Sequence, residues 1–314
     1  MTTPLLYPAR AGSYREVVLA DQPAFFYEFS DTSFTGGVIR DLSGNGNDGT
    51  NLQQSTTPLE AVGQVGNEHC ALFPYESNAQ ARVATNVELT YPELAVECTV
   101  SSEYWGYAGA NVRLIADGHT DQGGASRSGF EFYLPNAGGN STGMAPQELA
   151  FIVGNGYTPW SASTAYAVGD QASHDGNVYV CTTAGTSGTS GPSGTGTGIT
   201  DGSVMWSWQT SDNLSCTTEP LLLSGGVYHL LASATVSGGT TTVSIYVNGT
   251  LQAENSVANF GTVTSPHTVG VGFNPVYDGD FFCGNMGAVA AYPHGFSPEQ
   301  AWRHSNAFFT GLQR

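Results

Sequence analysis

The stretch TTTVSIYVNGT, residues 240–250, decides how the chain is read. Val243, Ile245 and Val247 alternate with Ser244, Tyr246 and Asn248, the period of a strand buried on one face. Asn248-Gly249 then supplies two residues that tolerate the positive φ required by the tightest hairpin turns. Ahead of this stretch lies VYHLLA (227–232), and behind it HTVGVG (267–272) and GNMGAVAAY (284–292). Four strand candidates separated by turn signals predict a β meander, with the rest of the chain completing or hanging from its sheet.

Composition agrees. Glycine supplies 41 of 314 residues and charged residues only 11%, against about 25% in an average domain. That mixture suits many short strands joined by turns and argues against a helical bundle. The chain has eight basic residues, all arginine, and a net charge of -18. A nucleic-acid or anionic membrane partner needs clustered positive charge, so neither is expected. No apolar run reaches the roughly 18 residues of a membrane span. The start, MTTPLLYPARAGSY, lacks the charged-then-apolar order of a secretory signal, so synthesis in a cytoplasm is expected. Cysteines 70, 98, 181, 216 and 283 are odd in number, widely spaced and free of C-x-x-C pairs. They read as reduced structural thiols.

In chain order, residues 1–16 read as a polar, proline-containing arm. VVLADQPAFFYEFSD (17–31) begins with a strand, and DLSGNGNDGT (41–50) follows. Further strands are expected at 70–73, 81–85, 94–100, 113–117, 129–134 and 148–153, the spacing of a sandwich or jelly roll. The pattern changes at 158–212, which has no Lys, Arg or Glu. A Gly/Ser/Thr-rich run (184–200) lies there among Trp160, Tyr166, Tyr179, Trp206 and Trp208. We read it as a mini-domain inserted in a surface loop, where closure entropy costs a host fold little. The host resumes at 213–314. It ends in a short helix with Ser297 as cap, Pro298 in the first position and Gln300 closing a capping box; Trp302 and Phe309 are the expected docking residues.

Several blocks in order carry a family resemblance: SGNGN, LAVEC (94–98), GFEFYL (129–134), YVNG and FSPEQAWRH (296–304). The host resembles laminin-G-like, concanavalin-type lectin domains. This implies an all-β fold: a two-sheet jelly-roll sandwich over 17–157 and 213–314, a small inserted β module (158–212) and one short C-terminal helix. The insert is similar to the aromatic module of chitin-binding domains and phage virion proteins, on Trp160, Tyr166, Gly169-Asp170, Asp175-Gly176, Tyr179, Cys181, Asp201-Gly202 and Trp206. Its TTAGTSG … TDGSVMW form is nearer the phage version.

Three kinds of site were weighed. Cleaving a glycosidic bond needs paired carboxylates, yet Glu131 stands alone in GFEFYL and Glu97 has no acidic neighbour two residues away. No catalytic residues are expected, and His229 and His304 read as packed or surface histidines. Asp41, Ser43 and Asn45, followed by Gly46, match the opening half of a calcium loop without its closing Glu; a glycine-rich turn stiffened by Asx hydrogen bonds is the favoured reading. Sugars stack on exposed aromatic faces, which makes Tyr104, Trp105, Tyr166, Tyr179 and Trp208 the carbohydrate-binding candidates. Aromatic anchoring of a small core is the competing reading, favoured for Trp160 and Trp206.

The resemblances imply a non-enzymatic bacteriophage surface protein, assembled in the host cytoplasm and displayed on the virion. Its expected partners are the major capsid or tail protein and host or environmental glycans, and a homo-oligomer is compatible with this. A purely structural decoration protein and a polysaccharide depolymerase are the alternatives.

Overall fold

The structure is a computed structural model that describes residues 12–29, 37–52, 63–65, 68–73, 82–101, 111–118, 127–135, 146–265, 267–276 and 279–311. Two eight-stranded antiparallel sheets form a jelly-roll sandwich. The first runs Thr250–Ala258, Thr240–Val247, Val227–Ser237, Leu94–Ser101, Gly284–Tyr292, Glu68–Phe73 and Gly63–Val65. Phe25–Glu28 pairs with the far half of Gly284–Tyr292. The second runs Asn213–Thr217, Ala150–Asn155, Ser128–Leu134, Val112–Ala116, Gly270–Val271, Arg82–Ala84, Gly49–Leu52 and Val38–Ile39.

Alternation fills the space between the sheets. Leu94, Val96, Cys98 and Val100 from one side meet Phe130, Phe132 and Leu134 from the other in a single cluster. Each such side chain stabilises the fold by roughly 1.5–3 kcal/mol. The predicted turn forms as expected: Val247 faces Thr250 across Asn248 (φ 52) and Gly249 (φ 76). A Cβ on Gly249 would lie 3.0 Å from Trp302 Cα and Ser305 Cβ, so the turn's close approach to the C-terminal helix also requires glycine.

Other expectations are corrected. The meander is broken, because Gly270–Val271 belongs to the second sheet and Gly284–Tyr292 pairs with Leu94–Ser101. The strand that follows the turn is Thr250–Ala258. Its residues are exposed or half-buried throughout, so only a weak apolar face, Ala253 and Val257 against the main core, marks it in the sequence. The strand at 240–247 is not buried on one face alone, since Ser244 and Tyr246 are covered too. Two helices supply that cover.

Helix α1 (Tyr14–Ala20) replaces the end of the expected arm and the strand expected from Val17. Its signal was local: Ser13 and Glu16 form a complete capping box. A VVL run of three residues fits helix or strand, and tertiary packing of Val18 under the sheet's outer layer selects the helix. Helix α2 (Pro298–Gly311) is capped as read, with Gln300 N donating to Ser297 Oγ at 3.3 Å and Ser297 N to Gln300 Oε1 at 3.0 Å. Trp302, however, is 54% exposed. The face that docks is Ala301, His304, Ser305 and Phe308, an i, i+3, i+4, i+7 stripe on which position 302 has no place. Phe309 is half-buried against the Cys70–Phe308 cluster. All five cysteines are buried and free. No helix among the described residues is long and apolar enough to cross a membrane.

Residues 158–212 build sheets of their own. One is the pair Ala165–Tyr166 and Gly185–Thr186; the other runs Gln171–His174, Asn177–Thr183, Val204–Ser211 and Thr197–Asp201. Gly154 lies opposite Asn213 in the second host sheet, so the chain leaves and re-enters the sandwich at adjacent points of neighbouring strands. Two host strands thus form a hairpin whose tip is the inserted segment.

Candidate functional site

The inserted segment is organised by one carboxylate. Asp201, only 5% exposed, accepts from Trp160 Nε1 (2.8 Å) and Trp206 Nε1 (3.3 Å) through Oδ2 and from Gly188 N (2.8 Å) through Oδ1. The glycine after it is obligatory, since a Cβ on Gly202 would sit 2.4 Å from Thr186 O. Trp206 is fully buried with Ala172, Tyr179, Cys181 and Val204, and Tyr166 meets its ring edge-on at 4.8 Å. The low-complexity run is strapped over this core. Tyr179 Oη donates to Gly194 O (3.0 Å), and Ser187 Oγ donates to Ser161 O (2.7 Å).

These contacts sort the predicted aromatics. Tyr179 is fully buried, which corrects its assignment as a sugar-stacking residue: its place opposite Ala172 and Trp208 in the sheet makes it core. Trp206 is core, as expected. Trp160, Tyr166 and Trp208 are half-buried. Each has its polar atom tied to the protein: Trp160 on Asp201, Trp208 Nε1 on Asn177 Oδ1 (2.9 Å), and Tyr166 Oη accepting from Ser161 N (2.9 Å). Rings that are fixed in orientation yet partly open to solvent are what a saccharide stacks on, at little entropic cost. No Lys or Arg lies anywhere in 158–212, which suits uncharged sugars. Tyr104 and Trp105 lie outside the described residues. In the sequence, Asp201-Gly202 is legible only as part of the module's pattern and Asn177 is not singled out; that both Asp201 and Asn177 hold rings is visible only in the fold.

The Asp41 loop is saturated. Asp41 Oδ1 accepts from Phe26 N (3.0 Å) and Ser43 N (2.9 Å), and Oδ2 from Ser43 Oγ (2.7 Å) and Asn47 N (2.9 Å). Asn45 turns its amide nitrogen toward the Pro23 and Ala24 carbonyls. Asp41, Ser43 and Asn45 do not fit a calcium ion in this arrangement, which is the Asx-stiffened turn. Calcium added after exhaustive chelation is therefore expected to move Tm by less than about 1 °C; a rise of several degrees would show that an ion displaces these donors.

A second polar centre lies on the outer face of the first sheet, beneath both helices. Glu97 is fully buried and takes His229 Nε2 (2.8 Å), His304 Nδ1 (3.0 Å) and Tyr292 Oη. His304 Nε2 meets Asp21 Oδ2 (2.7 Å), which also pairs with Arg303. An imidazole facing carboxylates at both nitrogens donates from both only as the cation. Burial opposes that charge, but Glu97 and Asp21 outweigh it and hold the His304 pKa above its ordinary value. Burial would likewise raise Glu97, and the two imidazoles instead hold it well below the usual carboxylate range. Sequence reading saw these histidines as packed or surface residues without a partner. Glu97, Asp21 and His304 are far apart in sequence, so no local pattern joined them. Glu131, the other carboxylate weighed there, is 4% exposed, held by Arg113 (2.9 Å) and Asn274 Nδ2 (2.9 Å).

The description carbohydrate-binding module family 5/12 matches residues 159–193. Among solved structures, the botulinum neurotoxin serotype C1 binding domain is similar at TM-score 0.50 and 9% identity, covering 92% of this chain and 53% of that one. The serotype D ligand-binding domain in complex with N-acetylneuraminic acid gives TM-score 0.50, 9% identity, and 94% and 52% coverage. Domain 4 of AbnA, a GH43 extracellular arabinanase from Geobacillus stearothermophilus in complex with arabinotriose, gives 0.44, 15%, 90% and 98%. The chain thus spans about half the length of the toxin domains it matches. No curated protein matches significantly. The two toxin domains share the sandwich fold and no more. The chain is a jelly-roll protein carrying a carbohydrate-binding-module-like insert.

Proposed function

We propose that this chain is a non-enzymatic bacteriophage surface protein that decorates capsid or tail and binds glycans through its insert. The observation that carries glycan binding is the set of half-exposed rings, Trp160, Tyr166 and Trp208, each anchored by its polar atom within the segment that matches a carbohydrate-binding family. The phage-like TTAGTSG … TDGSVMW run supports the particle setting. Presentation at a hairpin tip places the insert at the end of the second sheet, next to the exposed edge strand Thr250–Ala258, to which Thr210 Oγ1 donates through Ala258 O (2.9 Å). Many copies on one particle convert weak single contacts into avidity.

Trp208→Ala is expected to weaken binding to an immobilised glycan by about 30-fold, the loss of one aromatic hot spot worth ~2 kcal/mol. A glycan array with wild type and this variant is the measurement. Equal signal from both would remove Trp208 from the site. Silence from both would favour a structural spacer, a reading that the full burial of Tyr179 and Trp206 supports. Reconstruction of an intact particle tests the setting.

A further inference from the structure

The host sandwich has an open groove of ≈ 720 Å³ where the end of α1, the Asp41 loop and the 87–91 segment converge. No residue of the insert lines it. Its size lies within the roughly 300–1,000 Å³ of small-molecule sites. We propose that this groove is a second saccharide site, taking a neutral mono- or disaccharide.

The first support is rigidity. The four donors on Asp41 fix the loop, and the amide nitrogens of Asn45 and Asn47 are committed to backbone carbonyls, Asn47 Nδ2 reaching Ala24 O at 2.8 Å. That commitment orients both amides, and their Oδ1 atoms accept no hydrogen bond among the described residues. The groove therefore presents acceptors whose positions are set before any ligand arrives, so binding loses little side-chain entropy.

The second support is the kind of groups that converge. Tyr91 is half-buried, its ring packed against the main core and its backbone bridged to Val263, which holds an aromatic ring at the wall. Glu88 and Gln22 are exposed on the same groove. Gln22 stands at φ 52, the left-handed residue that ends α1 with its N–H on Leu19 O (3.2 Å), which fixes its backbone at the rim of the groove. A ring for the apolar face of a pyranose, with a carboxylate and amides for its hydroxyls, is the set that neutral sugars require. No arginine or lysine lines the groove, and Glu88 adds negative charge, so sialic acids, uronic acids and phosphates are disfavoured.

The ligand class rests on the glycan-binding reading, whereas the site is separate from the insert, and the test keeps the two apart. Glucose, galactose, mannose, arabinose and N-acetylglucosamine would each be titrated into the full chain carrying Trp208→Ala, with N-acetylneuraminic acid as the charged comparison, by ligand-observed NMR. The expected result is saturable binding of at least one neutral sugar and none of the acid. Adding Glu88→Ala or Gln22→Ala, both exposed and so compatible with folding, is expected to weaken it about tenfold, the loss of one hydrogen-bonding group. Binding by wild type that vanishes with Trp208→Ala would overturn the groove and keep the insert. Binding that survives Trp208→Ala but ignores both groove substitutions would also overturn it, as would absence of binding in every chain. Neutral-sugar binding at the groove alongside a silent glycan array would uphold the groove and remove the insert's role.

Discussion

Glu97→Ala is expected to cost about 3–5 kcal/mol of unfolding free energy, the loss usual when one partner of a buried ion pair is removed. The carboxylate is fully buried and has three side-chain partners. Taking it away leaves the His304 cation under α2 with Asp21 alone and strips His229 of its acceptor. Both helices are affected, because Asp21 caps α1 and His304 is the docking face of α2. Tyr14 on α1 packs edge-on to His229 at 5.9 Å and to Phe308 at 5.6 Å, so the loss spreads to the aromatic layer between the helices. Urea melts read the difference directly, and a change under 1 kcal/mol would mean that the network is not charged as its geometry requires. The same network sets a pH profile. Glu97 and Asp21 have lowered pKa values in the fold, so their contribution is present above the unfolded values near 4 and is lost as pH falls below them. His304 has a raised value; its contribution is complete below about 6.5 and is lost as pH rises through the folded value. The triad therefore stabilises most between about pH 4.5 and 6.5. In Glu97→Ala this mildly acidic maximum should flatten.

Trp206→Ala is expected to unfold the insert and leave the sandwich standing. Truncating a buried aromatic costs about 3–5 kcal/mol, as much as a core in a segment this small supplies altogether. The substitution also removes one of the two indoles on Asp201. The host core shares no buried residue with the insert's cluster. The polar ties between them are few, chiefly Asn155 Nδ2 to Ser211 O (3.0 Å) and Thr210 Oγ1 to Ala258 O. Limited proteolysis should cut within 184–200 in the variant and spare it in wild type, while the main thermal transition stays in place. A single transition shifted by many degrees would instead show that insert and host fold as one unit, and the layout of a sandwich with an appended module would be lost.

Particular elements show where sequence sufficed. The 240–250 stretch, with a period of two and an Asn-Gly turn, marked its own strand and turn, and the Ser297 capping box marked the start of α2. Both depend on neighbours a few residues apart. Thr250–Ala258 was missed because an edge strand whose inner face carries only Ala253 and Val257, both half-buried, has no strong apolar period to betray it. Trp302 was misjudged because a helix of this length offers several faces and composition does not say which meets the sheet. Tyr179 shows the same limit in the insert: an aromatic in a polar segment reads as core or ligand platform until its neighbours across the sheet are known.

Strand alternation, turn chemistry and a surplus of glycine over charge were enough, read along the chain, to establish an antiparallel sandwich interrupted by an aromatic segment. Only the folded arrangement decided that two helices cover the outer face, that Glu97, His229, His304 and Asp21 meet beneath them, and that Asp201 holds two tryptophans at once. The physical reason is range. Local patterns record each residue's preference for one face or turn, whereas a buried charge is tolerable only where partners distant in sequence arrive together, and packing alone arranges that meeting.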